Sequence, residues 1–543
     1  MKSTIFLFII LLFFVSCENL EITPSNRLSD ETVFSNPINA DMFLCDIYND
    51  LNAGPYTSQG NDLPSGISND PCENFTDNTC YGPTAGNPSF SLFNSSSYNP
   101  ANTLFNNQWR HMYRSIRKCN LFIEKVTAST FDEDTKTGLL AQARFLRAYY
   151  YKSLIELYGG VPIITKVLRN DVEGEDIFYP RNSYEECVGF IQTECTAAAG
   201  DLPQTVSGAN LGRATKGAAL ALKGSMELYA GKWAEAAATN KQIMDMNVYK
   251  LFPDYGDLFY AANENNQEVI FDIQFAPEVK RKRINQFWGA VMVQKGAGWG
   301  SCCPTQNLID CYEFKDGLTE AEGSSLFNPD NPYQNRDNRF YESIIYDGST
   351  WRGEKIYTRL GIANNANEIN VTNKSGNAGR TGYFIKKLQD STIYSTNSML
   401  DGTNFIVFRY AEILLNYAEA KNETSGPDQT VYDAVNQVRK RAGQPDLPTG
   451  LTKEQMRSKI RNERRVELAF EQKYFFDIIR WKTAEQIFSI PVTGMKISTK
   501  NGNLVYEKIP IRTVIFSPSK NYLQPIPQSV MDVNPELVQN PGY

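Results

Sequence analysis

Histidine is almost missing: the 543 residues contain one, His111. Serine triads, most general-base chemistry and the usual zinc sites lean on imidazole, so those mechanisms have little to work with here. An enzyme built on this chain would have to run on carboxylates. Surplus positive charge is missing too, with 54 Lys and Arg against 61 Asp and Glu and a formal charge of -7. Binding a phosphate backbone needs a cationic face, so no nucleic-acid partner is expected. Cys-x-x-Cys spacing is absent and Cys302, Cys303 and Cys311 have no histidine nearby, so neither a metal nor a cofactor is expected. The N-terminal apolar run from Ile5 to Val15 is 11 residues long, about 16 Å as a helix. That is too short for a hydrocarbon core of about 30 Å.

What is present is a globular composition, 41% hydrophobic and 21% charged, with 29 Tyr and 31 Phe available for cores or recognition surfaces. The length suits roughly three units of about 150 residues, or one large solenoid-like body. Lys2, the short apolar run and Ser16-Cys17 together read as a secretory signal peptide ending in a relaxed lipobox. Processing would leave Cys17 as a diacylated N-terminus, and two acyl chains anchor stably where one is marginal. Glu18 and Glu21 follow, similar to the acidic export tag of surface lipoproteins. Removing Cys17 from ten cysteines leaves an odd nine, so at least one is free or paired between molecules. Cys187 and Cys195 lie in a helical pattern, where eight residues separate them by about 12 Å, beyond bridging distance. Cys72 and Cys80 flank a turn-rich loop in which a bridge is geometrically possible.

Helical periodicity dominates both ends of the chain. Trp109, Met112, Tyr113, Ile116 and Phe122 recur at three- and four-residue spacing, and Ala141 to Tyr158 follows as a second helix stopped by Gly159-Gly160. In Gly217 to Ala236, the residues Gly224, Trp233 and Ala236 occupy the small, aromatic and small positions of a tetratricopeptide unit. Asn404 to Glu423 reads as another first helix. It has two apolar stripes, and its remaining side carries Glu412, Asn416, Glu419 and Glu423. Two buried stripes imply stacking on two neighbours. On the helical pattern from Ile460 to Gln472, Glu463, Glu467 and Glu471 recur every four residues. This spacing suits pairing with arginines of neighbouring helices, such as Arg144, Arg147 or Arg409, better than a hydrolytic carboxylate pair, which also needs a cleft. Between Glu264 and Asp401 the periodicity fades. A short strand around Glu268 to Phe275 is followed by dense Gly, Asn, Asp and Ser.

Several motifs resemble the SusD/RagB family of starch-binding-type outer-membrane lipoproteins. They are Trp109-x-x-Met-Tyr113-x-x-Ile116-x-x-x-Asn120, Ala143-Arg144-Phe-Leu-Arg147-Ala-Tyr149 leading to Tyr158-Gly-Gly-Val-Pro162, and the Gly217 to Trp233 unit. Arg409-Tyr-Ala-Glu412-x-x-Leu-Asn416, Ile460-Arg-Asn-Glu463-Arg464-Arg-Val-Glu467, Asp477-x-x-Arg480-Trp481 and the ending Asn540-Pro-Gly-Tyr543 continue the match in order. The resemblance implies a mainly α fold: a tetratricopeptide-like helical-repeat scaffold with a loop-rich middle region containing short strands. It also implies a lipid-anchored outer-membrane location facing the exterior, a SusC-like TonB-dependent transporter as partner, and an aromatic surface for an oligosaccharide. The expected division is 1–16 signal peptide, 17–35 lipidated linker, 36–263 N-terminal helical region, 264–403 loop-rich ligand-presenting region and 404–543 C-terminal helical region.

The expected function is therefore a non-catalytic receptor that passes an oligosaccharide or related nutrient to a transporter. A secreted carboxylate-dependent glycoside hydrolase and a scaffold binding only protein are the alternatives. Sugars offer flat C–H faces and a rim of hydroxyls, so the site wants exposed rings with polar groups around them. The helices spend their aromatics on packing, which leaves those of the loops: Tyr81, near Phe90, Tyr98, Asp77 and Asn78, and Trp288, Trp299 and Trp351 in the middle region. Burial in a local loop core is the competing fate of each.

Overall fold

The computed structural model describes residues 30–51, 72–82, 88–105, 107–169, 176–276, 284–291, 298–370, 379–393 and 402–543. The signal segment and Cys17 lie outside them. The longer helices of the N-terminal half are α1 (Pro37–Asn49), α2 (Gln108–Ala128), α3 (Glu133–Tyr158), α4 (Tyr184–Asp201), α5 (Lys216–Tyr229) and α6 (Trp233–Asp245). Each from α2 onward packs against the next; the connections 129–132 and 230–232 are short enough to force antiparallel neighbours, whereas α3 to α4 and α4 to α5 are joined by longer loops. Local signals fix their ends. Asp132 caps α3 through Thr135 N–H, and Gly159 ends it at φ 72°. Ser183 and Glu186 form a reciprocal capping box at α4.

Gly224 shows why the repeat signature needs a small residue. A Cβ there would lie 2.8 Å from Asn240 Nδ2 on α6, so any larger side chain would push the two helices apart. Ala236 is buried on the facing side.

The chain then leaves the helical stack and returns to it through an antiparallel pair, β1 (Val269–Ile273) and β2 (Phe405–Arg409), with Val269 opposite Arg409 and Ile273 opposite Phe405. Beyond it lie α7 (Tyr410–Ser425), α8 (Gln429–Arg441), α9 (Lys453–Glu467) and α10 (Tyr474–Arg480), then the hairpin β3 (Val492–Lys500) and β4 (Asn503–Arg512). The helix expected from Asn404 thus begins only at Tyr410. Phe405-Ile-Val-Phe is a β-branched and aromatic run, and it finds strand β1 as its partner. The helix expected to reach Gln472 ends at Glu467, and Phe470 and Gln472 adopt positive φ in the turn that follows.

α7 packs on α6, α8 and α9, so both of its apolar stripes are buried. One continuous core runs from α1 to the C-terminus, a second joins α5 and α6 to α7, α8 and α9, and a small third lies under the middle loops. Fold class and repeat character follow the sequence expectation. Among the described residues no helix is long and apolar enough to cross a membrane.

Candidate glycan-binding surface

The regularly spaced acids come first, because they decide whether catalysis is available. Glu467 accepts from Arg409 at 2.6 Å, from Arg339 at 2.9 Å and from Arg441. Glu463 pairs with Arg339 at 2.6 Å and Arg439 at 2.9 Å, and Glu471 with Arg409 at 2.7 Å and Lys387 at 2.6 Å. Glu268, at the start of the middle region, closes the set on Arg409 at 2.7 Å. All are buried. Burial alone would raise the Glu467 carboxyl, but Arg441, Arg409, Arg339 and Lys387 reverse this and hold it far below the usual carboxylate range. Such a group stays ionised and fully occupied, so it can neither donate a proton nor reach a sugar.

Arg409 is a partner as expected, whereas Arg144 and Arg147 are not. They face Glu194 instead, with Arg147 at 2.6 Å. α7 carries a second network. Glu419 takes both Arg480 nitrogens at 2.7 Å and Trp481 Nε1, which lowers its carboxyl to about 2 against the opposing effect of burial. The face holding Glu412, Asn416 and Glu419 is therefore buried and ion-paired rather than solvated.

A partly open pocket between α3, α5 and α10 holds only about 90 Å³, room for about three waters. Its charges are paired as well: Lys152 with Glu156 at 2.7 Å, Lys473 with Glu412 at 3.0 Å and Arg464 with Asp477 at 2.7 Å. It is too small for a sugar ring.

One short pairing ties together two of the segments that carry the sequence-selected rings. Thr79–Cys80 lies antiparallel to Cys303–Pro304, which joins the strand leading into Tyr81 to the segment just after Trp299. Cys80 therefore faces Cys303, and no bridge links Cys72 to Cys80; both are free thiols. Trp299 is 45% exposed, with its ring 5.2 Å from Phe287 at 56°. Tyr81 is half-buried beside Phe90, at 6.1 Å.

Trp288 and Trp351 have the opposite fate. Trp288 is 0% exposed and Trp351 2%, so neither offers a face to a ligand. Trp351 packs with Ala290, Cys303, Ile345, Ile356 and Phe384 in the small core under the loops. Polar neighbours of Tyr81 are also engaged: Asp77 pairs with Arg465 at 2.9 Å, and Asn78 receives Arg465 Nε at 2.7 Å. Phe90 and Tyr98 are buried. The loop aromatics thus divide into a buried support, Trp288 and Trp351, and a wet edge, Trp299 and part of Tyr81. No grouping of metal-ligating side chains occurs among the described residues.

One surface escaped sequence reasoning. Tyr333, Tyr341, Tyr346 and Tyr506 line a cleft of about 570 Å³. Three of these tyrosines come from turns and short elements without periodicity, and the fourth comes from β4, far along the chain.

The chain is thus a helical-repeat scaffold with loop-borne aromatic rings over an ion-paired core. Comparison with known sequences gives the family. The SusD family model matches residues 267–543, and a model described as starch-binding, associating with the outer membrane, matches residues 46–226; the chain belongs to the SusD family. SusD-like protein P2 of Formosa agariphila is 26% identical over 462 residues, covering 80% of each chain. Starch-binding protein SusD of Bacteroides thetaiotaomicron is 27% identical over 164 residues, 29% of this chain and 28% of that protein. Among solved structures, a SusD-like carbohydrate-binding protein of Bacteroides fragilis superimposes with a TM-score of 0.82 at 28% identity, over 94% of this chain and all of the other.

Proposed function

We propose that this protein is a non-catalytic surface receptor that binds an oligosaccharide and hands it to a SusC-like TonB-dependent transporter. The observation that carries this reading is the exposed Trp299 ring on its Phe287 backing, set in a chain whose family and relatives are named for starch and carbohydrate binding. A ring fixed by a second ring presents a flat apolar face at little entropic cost, which is what the C–H face of a pyranose takes up. The hydrolase alternative loses support because the spaced carboxylates are locked in ion pairs. Titrating the mature protein with hexasaccharides of glucose, xylose and mannose, followed by chromatography of the recovered sugar, tests the reading. Saturable binding with intact sugar supports the receptor; cleavage supports the hydrolase; no binding supports the protein-only scaffold.

A binder cannot move its sugar across a membrane alone, so the proposal includes a lipid anchor at Cys17 and a barrel partner. Cys17→Ala moves the protein from the membrane to the soluble fraction on this reading, and unchanged membrane retention contradicts it. Mild-detergent extraction and affinity purification of the anchored protein recover the barrel; its repeated absence removes the delivery step.

A further inference from the structure

From the tyrosine cleft we infer a second oligosaccharide subsite, separate from the Trp299 edge. The inference rests on the glycan-receptor reading and deepens it. The cleft lies between the segment 331–346 and strand β4, and none of Tyr81, Trp288, Trp299 and Trp351 lines it.

Its floor is a fixed aromatic cluster. Tyr333 is buried, with its hydroxyl 3.1 Å from that of Tyr383. Tyr346 leans on it at 4.8 Å and 45°, and Tyr506 meets it edge-on at 5.7 Å and 84°. Tyr341 is locked by donating its hydroxyl to Tyr333 O at 2.7 Å. Tyr346 and Tyr506 remain half-exposed, so rings held rigidly from below keep a surface open to the cleft. Burial raises both phenols, so each stays protonated and able to donate.

Polar groups around the floor are unspent, in contrast to those beside Tyr81. Among the described residues, the hydroxyls of Tyr346 and Tyr506 and the side-chain amides of Asn331, Gln334 and Asn335 make no intramolecular hydrogen bond. Arg359 is aimed rather than free. Asp347 takes its Nε at 2.8 Å and its Nη2 at 2.5 Å, and also accepts the backbone N–H groups of Thr358 and Arg359 at 2.9 and 3.0 Å. The carboxylate is thereby saturated, and the guanidinium stands in one orientation on the cleft wall, with Nη1 left to donate.

Aromatic faces, amides with both donor and acceptor capacity, and one positioned guanidinium match a chain of pyranose rings, whose hydroxyls both give and take hydrogen bonds. A volume of about 570 Å³ falls in the range of cavities that hold a small ligand. The subsite takes a short stretch of a sugar chain and adds a second place of contact to the Trp299 edge.

Calorimetric titration with maltohexaose, laminarihexaose, xylohexaose, mannohexaose and hexagalacturonate tests the inference on the mature protein. The Tyr346→Ala/Tyr506→Ala variant, with circular dichroism unchanged, weakens binding of the hexasaccharide that the native protein takes by about tenfold. Should that variant fold poorly, Gln334→Ala with Tyr506→Phe removes only surface polar groups, and a drop in affinity of about threefold or more supports the site. Unchanged affinity in the folded variant, with loss in Trp299→Ala, overturns the subsite and leaves the receptor reading standing. Absence of binding to every hexasaccharide overturns both.

Discussion

The ionic core around Glu467 and the tyrosine cleft around Tyr346 use the same vocabulary of charged and polar side chains to opposite ends. In the core, Glu463, Glu467 and Glu471 answer Arg339, Arg409, Arg439, Arg441 and Lys387 within the buried interior. In the cleft only Asp347 and Arg359 answer each other, while amides and phenols stand open. The lesson is that chemical capacity lies in what a group has left over. The eight ionisable groups named here tie helices α8 and α9 to β2 and the segment carrying Arg339, whereas the amides on the cleft's turn keep donors and acceptors to spare.

The comparison breaks most severely at Glu467. Glu467→Ala removes the carboxylate that Arg409, Arg339 and Arg441 share; Arg409 keeps Glu268 and Glu471, Arg339 keeps Asp337 and Glu463, and Arg441 keeps Glu268, so the excess buried positive charge costs about 3 kcal/mol, read by thermal unfolding. Glycan affinity of the folded fraction should be unchanged, because the proposed site is elsewhere.

A second break uses pH. Glu73 is buried with no contacting cation among the described residues, and burial raises its carboxyl to about 7, only partly offset by the hydrogen bond from Asn78 and the charges of Lys387 and Arg465. Its ordinary value is 4.5, so the unfolded chain gives up this proton first. The contribution to stability is complete below pH 4.5 and is lost as pH rises through 7. Glu73→Gln keeps the polar contact without the ionisation. It should match the native protein at pH 4 and exceed its stability by about 3 kcal/mol at pH 8, checked by urea unfolding at the two pH values.

Trp299→Ala sharpens the other side. Losing the exposed ring lowers glycan affinity by about 1 kcal/mol with the melting temperature unmoved, whereas truncating the buried Trp351 lowers the melting temperature by emptying the small core. Equal effects of the two on binding at constant stability would erase the distinction between edge and support.

Sequence periodicity carried the helical half of this molecule. Gly224 and Ala236 announced a close helix pair, and the two stripes on α7 announced two neighbours, because helix packing depends on residues three and four apart. Partners across the fold were a different matter. The acids of α9 pointed to arginines, and Arg409 was among them, but Arg339 and Arg439 emerged only from tertiary placement, and Arg144 and Arg147 turned to Glu194. Loop aromatics were harder still. Trp288 and Trp299 lie 11 positions apart in the sequence, yet one is sealed and the other wet, a difference no local pattern records. The cleft stayed hidden because Tyr506 alternates on a hairpin like any strand residue, and nothing in its neighbourhood announces Tyr333.

The central claim, that the rings bind and the acids only hold, has one most direct measurement: native, Glu467→Ala and Trp299→Ala proteins compared side by side for hexasaccharide affinity and for products released, at a temperature where all three are folded. The account predicts no product from any of them, unchanged affinity in Glu467→Ala and reduced affinity in Trp299→Ala. Product formed by the native protein and abolished in Glu467→Ala would contradict it.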